Sequence, residues 1–167
     1  MTIAEILLLD FDSEAISTRR VLERVPADKA DWKPHDKSFT LGALASHVAT
    51  LASFGNMILS TDELDLGTTK FPTHPFTTAE EAVEVAAGYA AEIRTELAAM
   101  SDEDLQKTWT LRFGDHTIAA IPRMLAYRTM FFNHLIHHRA QITVYLRELD
   151  IAVPGIYGPS TDEPFKG

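Results

Sequence analysis

Apolar residues recur at three- and four-residue steps in four segments of the chain, and the intervening stretches are rich in proline, glycine and charge. The first segment runs from about Ile3 to Arg24, with Leu7, Phe11, Ala15, Thr18 and Leu22 on one face. Pro26 ends it, and "VPADKADWKPHDKSF" reads as a loop whose Trp32 folds back onto a bundle end. The second segment starts at the N-cap Thr40 and reaches about Leu59, with Leu41, Leu44, Val48, Leu51, Gly55 and Ile58 inward. "STDELDLGTTKFPTHPF" is predicted to be loop. Thr77 and Thr78 each have a glutamate three residues on, a capping-box pattern that opens a third helix running to about Met100. Its inward face is Ala82, Ala86, Ala90, Ile93 and Leu97, and Ser101 caps a short extra turn.

The period then changes. "TWTLRFGDHTI" alternates Trp109, Leu111 and Phe113 against Thr110 and Arg112, with Gly114-Asp115 at a two-residue type II′ bend. A lone hairpin is marginally stable, so this one must lean on the helices. The fourth helix begins around Pro122 and reaches about Asp150, followed by a Pro- and Gly-rich tail. The expected fold is all-α: a four-helix bundle in one domain spanning 1–167, with a small β-hairpin before the last helix.

Composition narrows the function classes. Hydrophobic content of 46% and charged content of 23% suit an ordinary globular protein. The 15 basic and 24 acidic side chains give a net charge of −9, which repels nucleic acid. With no cysteine, disulfides, thiolate ligands and a cysteine nucleophile are all excluded. The N-terminus lacks a basic signal-peptide region, and no stretch approaches the roughly 20 uninterrupted apolar residues of a membrane span. A cytoplasmic protein without a membrane partner is the expectation.

Three of the seven histidines fall within "HLIHH", His134 to His138, on the fourth helix. At about 100° per residue, with His134 at zero, the apolar stripe centres near 60°, His138 falls near 40° and His137 near −60°. His134 and His138 therefore share the inward face, His137 turns toward the rim, and Arg139 is expected to reach the surface. His47 borders the stripe of the second helix, while His35, His74 and His116 lie in loops or the hairpin. Two readings stand open from spacing alone. The three imidazoles are buried polar filler, each costing about 1–3 kcal/mol if unpaired, or they are satisfied together by one ion.

"WKPHDKSFTLGALASHVA", with "NHLIHHRAQITVYLRELDIAVPGIYGPS" further along, resembles the DinB/YfiT-like family of metal-dependent enzymes over essentially the whole chain. The family's "L-x-x-L-x-x-H" and last-helix HxxxH match His47, His134 and His138. The resemblance implies an up-down-down-up bundle, commonly a homodimer, that binds a divalent ion through these three histidines. Zinc or nickel is favoured, and all-nitrogen ligation also admits iron, cobalt or copper. It implies thiol-dependent transfer, with a low-molecular-weight thiol as cosubstrate, or hydrolysis of a small-molecule substrate.

Three imidazoles leave a coordination position open, where an ion can lower the pKa of water to about 7 or hold a thiol as thiolate. No catalytic acid or base is assigned. Asp12, Asn56, Gln141 and Tyr145 are candidates for that role or for supporting the ligands, with rim hydrogen bonding the plainer reading of the last two. No glutamate stands beside the HxxxH pair, which disfavours proteolysis. The rivals are a metal- or ligand-binding bundle without catalysis, and a structural protein.

Overall fold

The computed structural model describes residues 1–165. Helix α1 spans Ile3–Leu22 and opens on a reciprocal cap in which Thr2 and Glu5 satisfy each other's backbone amides. Its buried face includes Leu7, Phe11, Thr18 and Leu22, as the periodicity predicts, and Pro26 leads into a 3₁₀ turn at Ala27–Lys29. In the following loop, Trp32 packs edge-on against Tyr145 with ring centroids 5.5 Å apart, closing one end of the helical core.

The expected second helix is two. α2 spans Leu41–Thr50 and α3 spans Ala52–Ser60, with Leu51 between them at φ −63° and ψ −28°. The Thr50 hydroxyl donates to the carbonyls of Ser46 (3.0 Å) and His47 (3.3 Å). That back-bonding competes with the helical ladder and loosens it here. All six predicted inward residues of this stretch are buried. Leu41–Ser60 has the length and hydropathy (1.2) of a membrane span, contrary to the expectation that no stretch comes near, but 67% of that window is buried inside the protein.

The predicted loop after it contains a short strand, β1 (Glu63–Asp65), which pairs in parallel with β2. Three residues are too few to show a period, so the strand exists only through its partner. Helix α4 (Ala79–Ala99) uses the second of the two possible caps: Thr78 accepts from the Glu81 amide at 3.2 Å. It lies against α1, α2 and α3, with Ala82, Ala90, Ile93 and Leu97 buried and Ala86 half-buried. Ser101 caps α5 (Asp102–Gln106), and the Asp102 carboxylate accepts from the Ile3 amide at 2.7 Å, tying the start of α1 to this turn.

Strands β2 (Thr108–Phe113) and β3 (His116–Pro122) form the predicted hairpin, with Gly114 at φ 57° as the first bend position requires. Trp109 and Leu111 point inward, but Phe113 is 61% exposed. Phe113 pairs with His116 at the bend end of the hairpin, past a register shift at which Ile118 of β3 is left unpaired. The hairpin leans on the helices through buried Trp109, whose indole N–H donates to Thr61 at 3.3 Å.

The last helical run is also interrupted. α6 (Arg123–Ala126) passes into a π-helical stretch, Tyr127–Phe132, and then into α7 (Asn133–Glu148). The chain leaves α7 through Asp150 at φ 57° and ends in the expected non-helical tail. Arg139, expected at the surface, is 2% exposed. Its guanidinium pairs with the Glu14 carboxylate at 2.5 Å and donates to the Tyr157 hydroxyl at 2.9 Å. The helical wheel put Arg139 off the apolar stripe, but the tail and α1 cover that side of α7 as well.

Candidate metal centre

α2 carries His47, and α7 carries His134 and His138 one turn apart on its inner face. The three half-buried rings converge: Nε2 of His134 lies 2.8 Å from Nε2 of His138 and 3.4 Å from Nε2 of His47. One nitrogen from each residue lies within 4.8 Å of the others, so the group could hold a metal ion. His137 is exposed and stands outside the group.

Hydrogen bonds on the far side of the rings decide which nitrogens face the centre. His138 donates from Nδ1 to the side-chain oxygen of Gln141 at 2.7 Å, which leaves a lone pair on its Nε2. The His134 ring is bonded to the carbonyl of Met130. With lone pairs on both Nε2 atoms, the two nitrogens 2.8 Å apart can share a cation. Zinc–nitrogen bonds of about 2.0–2.1 Å in a tetrahedron separate ligand nitrogens by about 3.3 Å. The 3.4 Å pair already meets that spacing, and the 2.8 Å pair needs only a small outward swing of one ring. The donor set fits a divalent ion.

Electrostatics act in the same direction. Burial lowers the pKa of His47 to about 4, with further depression from the charges of His138 and His134. Burial also lowers that of His134, aided by His138, while the Met130 carbonyl opposes the shift. Both rings are neutral at pH 7, the form that donates to metal.

Phe39, from the loop before α2, stacks on His47 (centroids 6.4 Å, planes 22° apart) and sets its edge toward His138 at 6.4 Å. Tyr145 donates to the Phe39 carbonyl at 3.4 Å and thus holds the loop rather than the cluster. The rim reading suits Tyr145, but Gln141 touches a cluster histidine directly. Asp12 is paired with Arg94 at 2.6 Å, and Asn56 donates to Glu92 at 2.7 Å and to the Tyr89 carbonyl at 3.3 Å. Neither is brought to the histidines.

His35 accepts from the Lys37 amide at 3.1 Å and His116 lies on the hairpin. His74 faces Glu81 at 3.3 Å. Sequence reasoning did not single out Phe39. Its position just before the helix cap was the one available signal.

Beside His47 and His134 lies a cavity of about 530 Å³, enclosed by α2, α3, the π-helical stretch, β2 and the loop carrying Phe71 to Thr73. Its volume falls in the range of small-molecule sites.

Fold and site together define a mostly helical protein with a small three-stranded sheet and a three-histidine cluster able to hold a metal ion. The chain belongs to the DinB family, whose profile matches residues 2–165. It is 27% identical over 163 residues to the uncharacterized protein YrdA of Bacillus subtilis (strain 168), covering 93% of this chain and 89% of that one. Its fold is similar to that of a DinB-like protein from Bacillus cereus ATCC 10987 (TM-score 0.69, 24% identity, 93% of this chain and 98% of that one). It is also similar to that of the DinB-like protein YjoA from Bacillus subtilis (TM-score 0.67, 19% identity, 95% of each chain).

Proposed function

We propose that this chain is a metal-dependent enzyme acting on a small molecule, with His47, His134 and His138 as the ligands of one divalent ion. The observation that carries this reading is the convergence of the Nε2 atoms at 2.8 and 3.4 Å, with His138 and His134 bonded outward to Gln141 and Met130. Zinc or nickel is the favoured ion, with iron, cobalt and copper compatible with the same donors. The reaction is thiol transfer using a low-molecular-weight thiol, or hydrolysis. The same reading takes the chain as one cytoplasmic domain, an up-down-down-up four-helix bundle that counts α2 with α3 and α6 with α7 as single helices. It pairs as a homodimer.

When bound, the ion supplies Lewis acidity by which a water or a thiol becomes nucleophilic at neutral pH. The chain's own residues do the rest. Gln141 holds the proton on His138 Nδ1 and so keeps Nε2 free. Phe39 fixes the planes of His47 and His138 from outside.

A second reading, a metal-binding protein that catalyses nothing, draws support from the cavity wall, which has no carboxylate to act as acid or base. Elemental analysis after purification without a nickel column tests the shared premise: about one ion per chain in the wild type and loss of it in His138→Ala. Absence of metal from the wild type would sink both readings. Turnover of electrophiles with added thiols, present in wild type and lost in His138→Ala, separates the enzyme from the binder.

A further inference from the structure

The cavity beside the histidines has a composition that selects its ligand. Its apolar walls include Leu51, Phe54, Phe71, Leu111 and Met130, and among the described residues no lysine, arginine, aspartate or glutamate lines it. Phe54 and Phe71 meet edge-to-face with centroids 5.9 Å apart, making a corner of two aromatic planes.

Hydroxyls are present but two of them are spent. Ser46 donates to the carbonyl of His74, and Thr50 to the carbonyls of Ser46 and His47. Each offers the cavity lone pairs and no proton. Only Ser53 and Thr73 are left as hydroxyl donors on this wall. Without a bound ion, a carboxylate or phosphate placed here would exchange its water for two neutral hydroxyls and the neutral imidazoles of His47 and His134, and a buried charge without a charged partner is strongly disfavoured. The net charge of −9 adds repulsion. An apolar group loses nothing by entering.

From these observations we infer that the cavity binds a neutral, largely apolar molecule of aromatic or branched aliphatic character. Its reactive group reaches the histidine end while its body lies between Phe54, Phe71 and Met130. The inference rests on the proposed enzyme reading for its meaning and deepens it by naming the substrate class. A volume of about 530 Å³ accommodates a bicyclic aromatic body. Without a bound ion, the cavity disfavours anionic small molecules.

The test uses two probes of one shape, 1-naphthalenemethanol and 1-naphthoate, on the full chain at pH 8 after chelation. A bound ion would itself attract the carboxylate, which is why the deciding comparison is made without one. Titration calorimetry or ligand-observed NMR should show the alcohol binding at least tenfold more tightly than the carboxylate. Exposed Ala43 and Thr73 stand at the cavity's edge, so Ala43→Trp and Thr73→Trp, checked for an unchanged circular dichroism spectrum, should each abolish alcohol binding. Thr73→Arg should narrow or reverse the preference.

Equal or tighter binding of naphthoate to the wild type would overturn the inference, as would failure of the alcohol to bind. Alcohol binding that survives both tryptophan variants would also overturn it. That result would point to the other apolar cavity, between α1 and α4 beside Ile16 and Ala87. Metal content is measured separately, so loss of the metal reading and loss of this inference give different results.

Discussion

A Cβ added at Gly55 would stand 2.7 to 2.9 Å from three atoms of the Phe131 ring. The helical run that carries His47 and the run that carries His134 therefore touch where one of them has no side chain. Phe131 lies in the π-helical stretch immediately before α7, and it is fully buried. Gly55→Ala removes a helix-interior glycine, which by itself favours folding by about 0.5–1 kcal/mol. The overlap with a ring that has nowhere to go costs about 1–3 kcal/mol and wins. The expected result is a lower melting temperature together with weaker metal binding, read by circular dichroism and metal titration. A rise in melting temperature would show that the contact is soft.

Gln141 should matter for metal and little for folding. Gln141→Leu removes the acceptor that holds the proton on His138 Nδ1. Loss of such a partner weakens metal affinity by about 10–100-fold, measurable by competition with a chromophoric chelator. His137→Ala, at an exposed position outside the cluster, should retain the wild-type metal content. Loss of the ion there would mean that α7 is phased differently from the geometry above.

The metal-free protein should lose stability as pH falls from about 6.5 to about 4. His47 has a folded-state pKa of about 4, depressed by burial and by His138 and His134, against the ordinary imidazole value of 6.5. Between those values the unfolded chain binds more protons than the folded one, so acid favours unfolding. The contribution is fully present above 6.5. The depressed pKa of His134 acts with the same sign. Melting temperatures followed from pH 7.5 to 4 should fall less steeply in His47→Gln than in wild type. Bound metal should be released as acid is added, because protons compete for the same nitrogens.

Arg139→Ala should be the most damaging of these changes to the fold. It leaves the 8%-exposed Glu14 carboxylate with only the Tyr157 hydroxyl, at 2.9 and 3.0 Å. Breaking one side of a buried pair costs about 3–5 kcal/mol. Replacing both partners, Glu14→Leu with Arg139→Met, should recover much of that loss in chemical denaturation. Equal destabilisation by the single and double variants would show that the pair itself holds α1 to α7.

Most of the helical pattern was legible because it is local. The capping residues Thr40, Thr78 and Ser101 and the inward stripes of α1, α2 and α3 follow from turn geometry within a few residues, while the Thr2 cap of α1 went unnoticed. The mutual placement of His134 and His138 was legible for the same reason, since both lie within α7, beyond the π-helical stretch. Features that depend on a distant partner were not. β1 exists only against β2, Phe113 stands exposed at the bend end of the hairpin, and Arg139 is buried by α1 and the tail. Gln141 was named both as a support for the ligands and as a rim residue, and only its contact with His138 chose between them, because a helical wheel gives a direction and not a hydrogen-bond partner.

Sequence alone determined which residue types could meet: imidazoles on the inner faces of two amphipathic helices, in a chain without cysteine. It determined this because helical period is a property of neighbours along the chain. Tertiary packing decided that His47 comes within 3.4 Å of His134, that Gln141 meets the outer nitrogen of His138, and that no charged side chain among the described residues lines the adjoining cavity. Those outcomes depend on how closely α3 approaches the π-helical stretch, a distance set by Gly55 and Phe131 in segments far apart along the chain.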